Sequence, residues 1–76
     1  MSFETATLVF EDPRAISVVE RVEEGEERWQ TVGIAAGSLV MFVAHTFRER
    51  DGDEVVRIIS ARKATPQERR VYEEGH

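Results

Sequence analysis

The sequence predicts an α+β domain: a four-stranded antiparallel meander with a short helix before it and a longer helix after it. Three observations predict this. The stretch Val55–Lys63 alternates and is rich in Val and Ile, which suits a pleated, half-buried strand. Thr65, Pro66 and Glu68 then open a helix: a cap, a proline where no N–H is needed, and a glutamate able to reach back to the cap. Asp51-Gly52 is a strong signal for a two-residue hairpin turn between apolar runs.

The other elements follow in order. Ser2 can start a helix in which Phe3, Ala6, Thr7 and Phe10 fall at helical spacing, and Pro13 ends it. Arg14–Val22 is a first strand, and Glu23-Glu24-Gly25-Glu26 reads as a solvated turn. Glu27–Ala35 is a second strand carrying Trp29, Val32 and Ile34, closed by the turn Ala36-Gly37-Ser38. Leu39–Arg48 is the most apolar strand; its unbroken run implies burial on both faces and a central position. The closing helix ends near Gly75. No repeat, linker or low-complexity stretch interrupts the 76 residues, which read as one domain over 1–76.

Composition narrows the function. There is no cysteine, hence no disulfide, thiolate metal site or redox pair. No apolar run approaches the roughly 20 residues needed to cross a bilayer, and the N-terminus does not resemble a signal peptide. A soluble, cytoplasmic protein is expected. The net charge of −5 argues against generic nucleic-acid binding. The charge is uneven, however. Val55–Tyr72 holds five basic residues (Arg57, Arg62, Lys63, Arg69, Arg70) against Glu68 alone, whereas Glu20–Glu27 holds five acids and one arginine.

If Asp51 and Gly52 form the turn, Arg50 faces Asp53, Thr46 faces Arg57 and His45 faces Ile58. Continuing that register puts His45, Ser60 and Arg62 on one face and Thr46, Arg57 and Lys63 on the other. A two-residue turn near Gly37 then puts Trp29 on the Arg57 face, and Arg28 and Gln30 on the face of His45 and Arg62.

The chemistry available is limited. His45 and His76 have no ligand spacing between them, so neither metal nor cofactor is expected. There is no phosphate-cradling glycine loop and no second mid-chain histidine for a serine triad. What remains is a set of cations (Arg28, Arg57, Arg62, Lys63), the imidazole of His45, and the carboxylates of Glu26 and Glu27. RNA cleavage through the 2′-hydroxyl needs a proton acceptor, a proton donor and cations for the phosphorane charge. Arginine suits the last task because its planar fork grips phosphate oxygens in pairs. This inventory permits a metal-free ribonuclease. Each residue also has a plainer reading. His45 can be a hydrogen-bonded structural histidine, and Arg57 an exposed sheet arginine paired with a glutamate. Trp29 can be core rather than a base-stacking platform. Arg69 and Arg70 can be a solvated face pairing with Glu73 and Glu74.

Several runs resemble the BrnT family of bacterial toxins: Gly25-Glu26-Glu27-Arg28-Trp29, Val43-Ala44-His45-Thr46, and Arg57-Ile58-Ile59-Ser60-Ala61-Arg62-Lys63-Ala64-Thr65. Glu68-Arg69 and Tyr72-Glu73 follow in the same order, and Phe3 to Pro13 resembles the family's second helical segment. The resemblance covers nearly the whole chain. It implies a RelE-like ribonuclease fold and a type II toxin that cuts RNA to arrest translation. It also implies neutralisation by a BrnA-type antitoxin, a DNA-binding protein that represses the shared operon. Arg62 matches the family's Ser-Ala-Arg arginine, implying a phosphate or transition-state contact. His45 and Glu27 match the family's V-x-H-T and G-E-E-R positions and complete the expected catalytic set, with Arg28, Arg57 and Lys63 as RNA contacts. Family members usually begin with an additional strand and helix, a W-D-x-x-K…N-x-x-K-H-G type of segment that this sequence lacks. Its absence is expected to leave apolar surface and a strand edge uncovered, which a homodimer would cover.

Overall fold

The computed structural model describes residues 3–75. The chain runs α1 (Phe3–Thr7), a 3₁₀ turn (Leu8–Glu11), β1 (Ile16–Glu23), β2 (Glu26–Ala36), β3 (Leu39–Arg50), β4 (Asp53–Lys63) and α2 (Pro66–Glu74). The strands make one antiparallel sheet in the order β1-β2-β3-β4, so the expected α+β meander is the architecture observed. β3 lies between β2 and β4 and is the most buried strand, as its apolar run requires. Among the described residues no helix is long and apolar enough to cross a membrane.

The opening helix is shorter than its spacing predicts. After Thr7 it tightens into the 3₁₀ turn, and Asp12 N–H bonds back to the carbonyl of Val9 at 3.2 Å. Pro13 disfavours helical geometry at Asp12, and a last turn that cannot continue commonly contracts this way. Ser2, the expected start, lies outside the described residues. Ala6 and Val9 are fully buried in a cluster with Ala35, Met41 and Val43. The approach is close because Gly33 lies beneath it: a Cβ there would sit 3.0 Å from both Val9 Cγ1 and Ala15 Cβ.

The hairpin turns follow their sequences. Glu24 and Gly25 have φ of 51° and 78°, and Asp51 and Gly52 have 52° and 83°. Left-handed geometry at both central residues is the arrangement whose twist matches the flanking strands. As expected, Arg50 pairs with Asp53, Thr46 with Arg57 and His45 with Ile58.

The sheet has three irregularities: one at Glu20 in β1 places Arg21 beside Arg28, and two more change the expected faces. On β4 an extra residue falls between Ile58 and Ser60, so Ala44 pairs with Ser60 and Phe42 with Arg62. On β2 an extra residue falls between Ile34 and Ala36, so Trp29 pairs with His45 and Arg28 with Thr46. A shift of one residue moves every later side chain to the opposite face. The uninterrupted register is therefore corrected. Ser60 and Arg62 join Thr46 and Arg57, while Lys63 pairs with Met41 on the side of His45. Trp29 belongs to the His45 face, and Arg28 and Gln30 to the Arg57 face. Below, the first is the helical face, after α1, and the second the arginine face.

α2 packs on the arginine face through Tyr72, buried with Val32 and Val40 against Ile34, Phe42 and Ala64. Its start is the capping box read from the sequence: Thr65 Oγ1 accepts from Glu68 N–H at 3.2 Å, and Glu68 Oε1 accepts from Thr65 N–H at 2.9 Å. Asp12 ties the layers together. Its Oδ2 accepts from Ile34 N–H (2.9 Å) and from the Tyr72 hydroxyl (2.6 Å), and its Oδ1 accepts from Arg14 N–H at 3.0 Å. Ile34 extends beyond the last β1 pairing, Ile16 with Val32, so the carboxylate supplies the acceptor that β1 does not.

Asp12→Ala is predicted to cost about 2–4 kcal/mol in chemical denaturation, because it orphans the Ile34 amide and the Tyr72 hydroxyl together. Tyr72→Phe is predicted to cost about 1–2 kcal/mol, removing one of those bonds while keeping the ring. Equal losses for the two variants would contradict the shared role of the carboxylate. Glu68 gives a pH test. Hydrogen bonds from Arg62, aided by the Thr65 amide, hold its carboxyl at about 2 against an ordinary value of 4.5. A depressed carboxyl contributes stability above its unfolded value, and that stability is lost as pH falls from about 4.5 towards 2. The Arg62 side chain is 49% exposed, so the contribution is discounted to about 1–2 kcal/mol. Urea unfolding should show Glu68→Gln less stable by that amount at pH 6 and no different near pH 2. A gap independent of pH would contradict the assignment.

Candidate functional site

One rung of the sheet crosses all four strands on the arginine face. Arg21 pairs with Arg28, Arg28 with Thr46, and Thr46 with Arg57. Directly opposed side chains sit about 5 Å apart at Cβ, and like charges so placed repel unless anions intervene. Carboxylates do intervene at three points. Glu23 lies 3.4 Å from Arg21, Glu20 3.7 Å from Arg28, and Glu26 3.3 Å from Arg48, two residues along β3. Arg57 has no carboxylate within ion-pair distance among the described residues.

These groups surround a concave, polar cleft of about 190 Å³, lined by Arg21, Arg28, Arg48, Thr46, Glu23, Glu24 and Glu26 with Ile59 beside them. The Nε–H groups of Arg28 and Arg48 are buried and make no hydrogen bond among the described residues, and Arg28 Nε faces Glu20 Oε2 at 3.7 Å. Buried donors of this kind generally find an acceptor. The cleft thus offers convergent guanidinium donors, a hydroxyl and carboxylates within one depression.

Arg62 shares this face at the other end of β4. Its guanidinium binds Glu68 with both arms (2.7 and 2.9 Å), donates to the Lys63 carbonyl (3.2 Å), and stacks 4.3 Å from the centre of the Phe42 ring. The expected phosphate-contacting arginine is thus paired within its own chain, and it joins α2 to the sheet. Lys63 has no such partner among the described residues. It borders a depression of about 480 Å³ with Arg69, Ser38 and Leu39, where Arg69 donates to the Ser38 carbonyl at 3.2 Å. Arg69 also pairs with Glu73 at 3.6 Å, as its helical spacing predicts.

His45 and Glu27 lie on the opposite face. His45 is buried, with the edge of the Phe10 ring 4.8 Å away. Its Nε2 is 2.8 Å from the Thr31 hydroxyl, which is 2.8 Å from that of Ser17. Burial lowers its pKa from the usual histidine range and favours the neutral ring. Glu27 accepts from the indole N–H of Trp29 at 3.1 Å. Arg28, Arg57 and Arg62 are therefore on the opposite face of the sheet from His45 and Glu27. Glu26, one of the two carboxylates read from the sequence, lies in the cleft, and two of its arginines, Arg21 and Arg48, were not among the expected cations. The sequence does carry a signal that places Glu26 and Arg48 with Arg28 and Thr46. Glu26 and Arg28, and Thr46 and Arg48, alternate at strand period and so share a face.

Among known proteins, the family model described as the ribonuclease toxin BrnT of a type II toxin-antitoxin system matches residues 1–68, ending at the Glu68 that holds Arg62. No curated protein matches the chain. This is the family that the sequence resembles, and the match spans most of the chain. The chain belongs to the BrnT family of ribonuclease toxins of type II toxin-antitoxin systems.

Proposed function

We propose that this chain cleaves RNA on the arginine face, at the cleft around Arg28, Thr46 and Arg48 with Arg57 beside it. The observation that carries the reading is the rung of three arginines and a threonine, flanked by buried guanidinium donors that make no hydrogen bond among the described residues. In this reading Arg28 and Arg48 bind the scissile phosphate, and Arg57 carries the neighbouring backbone. Glu26 replaces Glu27 as proton acceptor, since it lies in the cleft and Glu27 does not. Glu26 takes the 2′-hydroxyl proton, the 2′-oxygen bonds to phosphorus, and the P–O5′ bond breaks. The 5′-oxygen takes a proton from solvent water, leaving a 2′,3′-cyclic phosphate and a 5′-hydroxyl. The guanidinium groups stabilise the charge that grows on the phosphorane oxygens. Arg62 is a positioning residue that fixes α2, and His45 stabilises the sheet beneath α1.

Cleavage of cytoplasmic RNA would arrest translation, and a BrnA-type antitoxin would neutralise it; the family description supports a ribonuclease activity and an antitoxin partner. A homodimer would form along an open sheet edge, β1 or β4, where Val18, Val22 and Val55 are exposed. Light scattering on the purified chain tests that arrangement, and a monomer at high concentration would oppose it.

With purified chain and total RNA, Arg28→Ala and Glu26→Gln are each expected to lower the cleavage rate by about 10²-fold or more. Arg57→Ala is expected to weaken RNA binding and to flatten its dependence on salt. His45→Asn should lower stability and leave cleavage by the folded fraction within a few-fold. Loss of cleavage in a folded His45→Asn protein, with Glu26→Gln active, would overturn the assignment of the face.

A further inference from the structure

α1 and the 3₁₀ turn cover one half of the helical face, over Met41 and Val43. Among the described residues no element covers the half towards the Asp51-Gly52 turn. Two shallow depressions lie there and share His45 as a wall. One, of about 340 Å³, is lined by Ser17, Glu27, Trp29 and Phe47; the other, of about 470 Å³, by Thr7, Phe10, Val56 and Ile58. Their linings are mostly apolar, and Phe10, Val19 and Val56 are exposed beside them.

The charges around this groove have one sign. Glu27 lies within it, and Glu49 and Glu54 form the next rung beyond Phe47 and Val56, directly opposite one another. Paired like charges destabilise a hairpin, and neither carboxylate has an ion-pair partner among the described residues. Among the described residues no lysine or arginine projects on this half of the face, because Arg21, Arg28, Arg48 and Arg57 all lie on the other side.

From this charge pattern and the two apolar depressions we infer that the groove binds a basic amphipathic helix of another polypeptide. The helix lies beside the 3₁₀ turn, with apolar side chains in the two depressions and lysines or arginines over Glu27, Glu49 and Glu54. A second copy of this chain is a poor occupant. Its matching face presents the same three carboxylates, and a face-to-back stack would not close into a dimer. The inference does not rest on the ribonuclease reading, because the groove and the arginine cleft are on opposite faces.

The test uses the full chain and Trp29, its only tryptophan. The probe is an amidated peptide of about 14 residues, with leucines at i, i+3, i+4 and i+7 and lysines elsewhere. Binding should shift the Trp29 emission to the blue and saturate in the micromolar range, weakening with salt. A peptide with glutamates for lysines should not bind. The double variant Glu49→Lys, Glu54→Lys should weaken binding about tenfold or more. Glu73→Lys, Glu74→Lys makes the same change of net charge on α2 and should leave binding unaltered. RNA cleavage should survive in both double variants, so failure here leaves the proposed activity standing. No change in Trp29 emission, equal binding of the acidic peptide, or equal weakening by both variants would overturn the inference. So would a blue shift on concentrating the chain alone, which would make a second copy the occupant.

Discussion

The single extra residue in β4, between Ile58 and Ser60, decides what this molecule can do with its charges. Without it Arg62 would share a face with His45. With it, Arg62 faces Phe42 and the start of α2, where Glu68 can take both arms of its guanidinium. The corresponding irregularity in β2 brings Arg28 beside Thr46 and sends Trp29 to His45. Together they sort the sheet into an arginine face and an apolar, acid-edged one. A regular meander of the same sequence would mix these chemistries on both sides.

That sorting also governs how the small domain holds together. The two helices pack on opposite faces, so no apolar cluster joins them directly. Asp12 makes the connection: it ends the 3₁₀ turn, accepts from Ile34 in β2, and accepts from Tyr72 in α2. Its bond to the Tyr72 hydroxyl, more than burial, raises the Tyr72 pKa. At the other end of α2 the capping box and the Arg62–Glu68 pair share one carboxylate. In a domain of this size, with a few kcal/mol of net stability, two such shared acceptors are a large fraction of the total.

Much of the fold was legible because its signals are local. Asp51-Gly52 fixed the last hairpin and its first pairs, Thr65-Pro66 with Glu68 fixed the start of α2, and the run Leu39–Val43 marked the central strand. The family was legible as well, from motifs that stay in order regardless of register. The site was legible only in part. Arg28 and Arg57 were expected as RNA contacts and do share a rung, but for a reason the sequence hid. A bulge leaves no residue type that announces it: Ala35 and Ile59 are ordinary strand residues. The uninterrupted period of two therefore put His45 and Arg28 on the face of Arg62 and left Arg48 out of the expected set. The Asp12 contacts were equally hidden, since they join residues 22 and 60 positions apart.

The most direct test of the two-faced sheet is an NMR titration of the labelled chain with a short RNA made uncleavable by 2′-O-methylation. Side-chain and amide shifts should concentrate at Arg28, Thr46, Arg48 and Arg57, leaving the Trp29 indole and the His45 ring unchanged. Shifts centred on Trp29, His45 and Phe47, with the arginine rung silent, would contradict the account.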